Sequence, residues 1–136
     1  MNRVLVVDDN ETNRDLISRQ LQRKGWQVLV AEDGTQALEM IRRELPDLIL
    51  MDLGLPGLGG LEVIRILKEE KATLAIPVIA LTAHAMQADR ERSLAAGSDD
   101  FETKPIDFSS LLSKMETLVK EGRQARERGE AQELTT

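Results

Sequence analysis

The chain has 136 residues, a formal net charge of −6 from 24 acidic and 18 basic side chains, no cysteine, and only Trp26, Phe101 and Phe108 as aromatics. These values exclude a disulfide framework and thiolate chemistry, and they argue against nucleic-acid binding, which needs clustered Lys and Arg or aromatic stacking platforms. The length suits one self-sufficient domain, and MNRVLVVDD is too short in apolar length for a signal peptide and no stretch approaches a membrane span, so a soluble cytoplasmic protein is expected.

The first apolar run is VLVV (4–7), continuous rather than alternating, as in strands buried on both faces. Leu16, Ile17 and Leu21 then fall on one helical face, and Gly25 stands where that helix stops. A second strand, VLV (28–30), leads to a helix with Ala37, Leu38 and Ile41 inward; Pro46 precedes the third strand, LILM (48–51), and Leu61, Ile64 and Leu67 mark the third helix. Pro77 precedes the fourth strand, VIAL (78–81). The next helix, roughly 86–95, is poor, with Met86, Leu94 and alanines as its apolar content, and the fifth strand, in SDDFET, has only Phe101 as a strongly apolar residue. That strand is placed at an exposed edge, and the two weak elements together should form the least stable, most movable part of the domain. The last helix carries Leu111, Leu112, Met115 and Leu118, with Asp107 or Ser109 as its N-cap. Met40, Met86 and Trp26 are assigned to packing.

From about Lys120 the text becomes KEGRQARERGEAQELTT, with charges of both signs, glycines at 122 and 129 and no apolar period. The expected organisation is therefore a domain over 1–120 and a charged tail over 121–136, a frayed helix end or disordered segment. Strand and helix alternate throughout, which predicts an α/β fold with a parallel sheet and helices on both faces.

Polar residues collect at the carboxyl ends of the strands, where open α/β sheets bind ligands. VLVV ends in Asp8 and Asp9, LILM in Asp52, and VIAL in Thr82. If the first and third strands are neighbours, Asp8, Asp9 and Asp52 converge. Two unit charges about 4 Å apart cost roughly 4 kcal/mol at an effective dielectric near 20, so the cluster calls for a raised pKa or a cation. Oxygen-only ligands at an open rim suit Mg2+, and no zinc or EF-hand spacing is present. Lys104, in ETKPID, would balance an anion there; carboxylates, a hydroxyl, a lysine and a hard cation describe a phosphoryl site.

On VVDDN, LILMDLGLPGLGG, VIALTAHA and GSDDFETKPI, taken together and in order, the sequence resembles the receiver domain of two-component response regulators over about residues 2–120. The resemblance implies a three-layer flavodoxin-like (βα)5 fold with strand order 2-1-3-4-5. It implies Asp52 as the phosphoacceptor, with Thr82, the Ala83 amide and Lys104 contacting the transferred group. Asp9, Asp52 and the Gly54 carbonyl would ligate Mg2+ directly, with Asp8 acting through water. Thr82, Phe101 and Pro105 mark the switch, with a cis Lys104–Pro105 bond and Phe101 turning inward after phosphorylation. The implied donor is a sensor histidine kinase or a histidine phosphotransfer protein, and the implied output is a protein target not legible here, with no nucleic acid and no membrane as partner. Both a stand-alone regulator and a receiver segment of a hybrid kinase match the pattern.

The sequence departs from the family's habits at several positions. Leu55 replaces a frequent methionine, Glu102 replaces an apolar residue and weakens the edge strand, Phe101 excludes a tyrosine hydroxyl, and His84 and Gly54 flank the site, Gly54 leaving its approach open. Two rivals remain to be weighed. A Mg-dependent phosphatase with an aspartyl nucleophile usually has a second aspartate at the position held here by Gly54. A non-phosphorylated binding module of the same fold would be expected to have lost the aspartate, the lysine or the acid pair, all of which are present.

Overall fold

The computed structural model describes residues 2–83 and 87–127. Strand and helix alternate as β1 (Arg3–Val7), α1 (Glu11–Arg23), β2 (Gln27–Ala31), α2 (Gly34–Glu44), β3 (Leu48–Asp52), α3 (Gly60–Glu69), β4 (Val78–Thr82), α4 (Gln87–Ala96), β5 (Asp100–Thr103) and α5 (Phe108–Glu127). All strand pairs are parallel and the order is β2-β1-β3-β4-β5. This is the three-layer, flavodoxin-like arrangement. The chain crosses from β1 outward to β2 on one side and then to β3 on the other, so the strand order reverses between β1 and β3, and the crevice at their carboxyl ends is the natural ligand position.

The unbroken apolar runs follow from two core layers. Ile49 and Met51 pack into the cluster under α2, α3 and α4, while Leu48 and Leu50 pack into the cluster under α1 and α5. Because alternate residues of a strand point to opposite faces, every residue of β3 is buried, and so is every residue of β4. Trp26 lies in the α1–α5 cluster and Met40 packs against the other, both as structural residues.

Local signals set the helix ends. The Asn10 side chain accepts from the Asn13 amide at 2.9 Å to open α1, and Asp33 accepts from the Gln36 amide at 2.8 Å to open α2. Gly25, at φ +92°, closes α1 in the left-handed conformation that glycine adopts at little cost. Asp107 accepts from the Ser110 amide at 3.2 Å and is the cap of α5, whereas Ser109 lies inside the helix. That helix continues to Glu127, through part of the segment read from sequence as a tail. Lys, Arg, Gln, Glu and Ala keep a helix going without an apolar stripe. The rest of that segment, 128–136, lies outside the described residues, as do His84 and Met86.

Three packing expectations are corrected. Leu16, read as inward, is 51% exposed. β2 is an edge strand with Val30 exposed, not a strand covered on both faces. β5 is the opposite edge, yet Phe101 and Glu102 are both buried, because α4 and α5 cover its two faces.

Candidate functional site

Asp8 immediately follows β1, and Asp52 is the last residue of β3. The register that pairs Val7 with Met51 sets these two carboxylates side by side at the reversal point. One carboxylate oxygen from each of Asp8, Asp9 and Asp52 lies within 4.8 Å of the others. Asp8 is fully buried and Asp52 nearly so, while Asp9 is exposed. Lys104, just beyond β5, reaches across β4 and places its Nζ 3.1 Å from Asp8 Oδ2 and 3.1 Å from Asp52 Oδ2. The Lys104–Pro105 peptide is cis.

The remaining oxygens are held by backbone. Asn10 N donates to Asp8 Oδ1 at 2.9 Å, and Gly54 N donates to Asp52 Oδ1 at 2.8 Å. Both carboxylates are thereby oriented by tight turns, with Lys104 sharing the other oxygen of each. Burial pushes the Asp52 carboxyl above the ordinary carboxylate range, and it outweighs the opposing pull of the Gly54 amide and Lys104; neighbouring Asp8 pushes the same way. Burial alone would lower the Lys104 ammonium, but its bonds to Asp8 and Asp52 overcome that and hold it above its usual value. The pair is therefore asymmetric: the cation is secured, whereas the anion is kept at an energetic cost.

Thr82, at the end of β4, is buried and lines a cavity of about 370 Å3 together with Asp52, Gly54, Ala83 and Lys104. A Cβ on Gly54 would meet only Asp52 Oδ1, at an ordinary 3.4 Å, so the approach to the carboxylate is open. Of the expected site residues, the structure brings together Asp8, Asp9, Asp52, Gly54, Thr82, Ala83 and Lys104. Phe101 lies in β5 and Pro105 in the turn after it, and neither lines the cavity beside Asp52. Phe101 is turned inward, 9% exposed in the α2–α4 cluster. A ring without a hydroxyl has no polar tip to keep wet, so burial is its low-energy position.

Two contributors are absent from the sequence reading. Arg14 of α1 donates to the Asp8 carbonyl at 2.8 Å and so braces the turn bearing the acid pair. Gly60 opens α3 where a Cβ would stand 2.4 Å from the Asp52 carbonyl oxygen, so only glycine lets α3 start against the end of β3. The LGG text hints at the second; the first is an unremarkable helical arginine with no signature of its own.

Oxygen donors on an open rim between a βα turn and a strand end, faced by an ammonium and a buried hydroxyl, define a phosphoryl-handling site of the response-regulator type. The receiver-domain model of response regulators matches residues 4–116, and the chain belongs to that family, whose role is phosphorelay signalling in two-component systems. It is 42% identical over 118 residues to the response regulator PleD of Caulobacter vibrioides, covering 87% of this chain and 26% of that protein. It is 37% identical over 119 residues to Protein PilH of Pseudomonas aeruginosa, covering 88% of this chain and 98% of that one. Among solved structures, the receiver domain of sensor histidine kinase PA1611 from Pseudomonas aeruginosa, described with a magnesium ion coordinated in its active-site cleft, aligns with a TM-score of 0.82 at 35% identity, covering 88% of this chain and 98% of that one.

Proposed function

We propose that Asp52 accepts a phosphoryl group from the phosphohistidine of a sensor histidine kinase or histidine phosphotransfer protein, and that the acyl phosphate resets the α4–β5–α5 surface for a protein target in the cytoplasm. The receiver unit is residues 1–120, and its only catalysis is its own phosphorylation and dephosphorylation. The observation that carries this reading is Lys104 Nζ, 3.1 Å from both Asp8 and Asp52 at the strand-order reversal. Gly54 offers no side chain to serve as the second acid of a phosphatase.

Mg2+ fits the donor set: Asp9, Asp52 and the Gly54 carbonyl would hold it, with Asp8 acting through water, and all are hard oxygen donors. When bound, it supplies positive charge to a cluster of like-charged groups. An oxygen of Asp52 forms the bond to phosphorus while the donor's P–N bond breaks; the electron pair stays on the imidazole nitrogen, which takes up a proton from water. Asp52 is already oriented for this by the Gly54 amide, so little reorganisation is needed. Lys104 meets charge developing on the phosphoryl oxygens, and Thr82 and the Ala83 amide bind the same group from the end of β4. Drawing Thr82 to the phosphoryl oxygen biases a two-state equilibrium of α4 and β5, with buried Phe101 as the packing partner and Pro105 shaping the turn that holds Lys104 in place.

Incubation with acetyl phosphate and Mg2+ followed by intact-mass measurement tests this. One added phosphoryl group is expected, and none in Asp52→Asn; a label that survives in the variant overturns the assignment.

A further inference from the structure

The cavity beside Asp52 reaches further than the acceptor chemistry uses. Its far wall is formed by Asp89 and Arg92 of α4. These two side chains are ion-paired three residues apart on the helix; Asp89 is mostly covered, 18% exposed, and Arg92 is 63% exposed. α4 thus brings a second cation to the rim, and it does so from a lightly fastened element. Among its described side chains only Ser93 and Ala96 are buried, while Leu94 is 45% exposed.

The charge balance of the cavity gives this cation a task. Lys104 is already shared between two carboxylates. Phosphorylation replaces a singly charged carboxylate by a group carrying close to two negative charges and three acceptor oxygens. A guanidinium matches phosphoryl oxygens bidentately and is the strongest side-chain partner for them. An i,i+3 ion pair whose guanidinium is largely in solvent is a weak competitor.

We propose that Arg92 is a second phosphoryl-binding residue, held in reserve by Asp89, and that it changes partner when Asp52 is phosphorylated, drawing α4 towards the site. The proposal rests on Asp52 being the acceptor. It gives α4 a direct electrostatic link to the phosphoryl group, beside the packing link through Thr82 and Phe101. Asp89 then acts as a brake: its carboxylate keeps Arg92 away from an unphosphorylated site.

The test measures the rate of phosphorylation by acetyl phosphate with Mg2+, and the half-life of the phosphorylated form after donor removal, by intact mass at low and high salt. Arg92→Gln should slow labelling about fivefold or more at low salt, and the deficit should shrink at high salt as charges are screened. Arg92→Lys, which keeps the charge but not the fork, should fall between the two. Asp89→Asn should speed labelling by about twofold or more, reading the same device from the other side. Arg92→Gln matching the wild-type rate and half-life within about twofold, or Asp89→Asn slowing as Arg92→Gln does, overturns the proposal. Asp52→Asn run in parallel separates the two claims. If it stays unlabelled while Arg92→Gln behaves as wild type, only the role of Arg92 falls; if it is labelled, the acceptor assignment falls.

Discussion

At the scale of single residues, the site is a contest between burial and pairing. Asp8 and Asp52 are almost wholly enclosed, and Lys104 is the ammonium that holds one oxygen of each. Removing one member of a buried ionic group leaves the others desolvated without compensation. Lys104→Met should therefore cost about 2 kcal/mol, below the range for a fully buried pair because Lys104 retains 21% exposure. Mg2+ should restore much of that loss, raising the thermal midpoint of the variant more than that of the wild type, since it binds only the folded state. A Lys104→Met protein whose midpoint ignores Mg2+ would contradict the account. Asp8, Asp9, Asp52 and Lys104 were legible in the sequence because unlike residue types recur at the same end of successive strands. Arg14 and Gly60 were not. Arg14 acts through a backbone carbonyl and leaves no pattern in composition or spacing, and Gly60 acts through the absence of a Cβ, at which the LGG text only hints.

At the scale of elements, the β5 edge shows how a residue unsuited to a strand is accommodated. Glu102 is buried, but its Oε2 accepts from Lys114 Nζ at 2.6 Å and from Ser110 Oγ at 3.3 Å, and the same Nζ donates to the Phe101 carbonyl at 2.7 Å. The side chain read as a weakness in the strand is in fact what ties β5 to α5. Lys114→Met alone should cost about 2–3 kcal/mol in urea unfolding by stranding a buried carboxylate, whereas adding Glu102→Leu should recover most of it, because an apolar pair of similar volume replaces a buried ion pair at little net cost. Strictly additive losses would refute the pairing. The sequence alone did not reveal this, since Lys114 sits on α5 among other charged residues and only the register of helix on strand brings it to Glu102. The same limit explains β2: VLV and VLVV look alike as text, and which of them becomes the outer strand is settled by the crossovers. Strand identity, most helix faces and the Asp107 cap are local properties and were readable, with Leu16 the misread face; neighbours across the sheet are not. Leu45 marks another local cost that apolar patterning hides, a non-glycine residue at φ 45° closing α2.

At the scale of the whole molecule, the two core layers are unequal in a way that suits a switch. β1, β3 and β4 carry near-continuous buried apolar runs on both faces, while the α4–β5 side is held by a few buried groups, with Phe101, Ser93 and Ala96 inward and Leu94 left exposed. Local opening draws on regions with little buried apolar surface, so α4 should open independently of the sheet. A signalling equilibrium needs this division: a rigid half fixes Asp8, Asp52 and Lys104 to within hydrogen-bonding distance, and a looser half moves at a cost that one phosphoryl group meets. Amide hydrogen exchange measures the division directly. The amides of β1, β3 and β4 should exchange near the limit set by global unfolding, and those of residues 88–96 about 100-fold faster or more. Acetyl phosphate with Mg2+ should slow exchange in α4 and leave β1 and β3 unchanged. Equal protection of α4 and β3 would place the moving part elsewhere, and slowing that spread evenly over the sheet would mean that the phosphoryl group stabilises the fold as a whole rather than selecting one state of its α4 side.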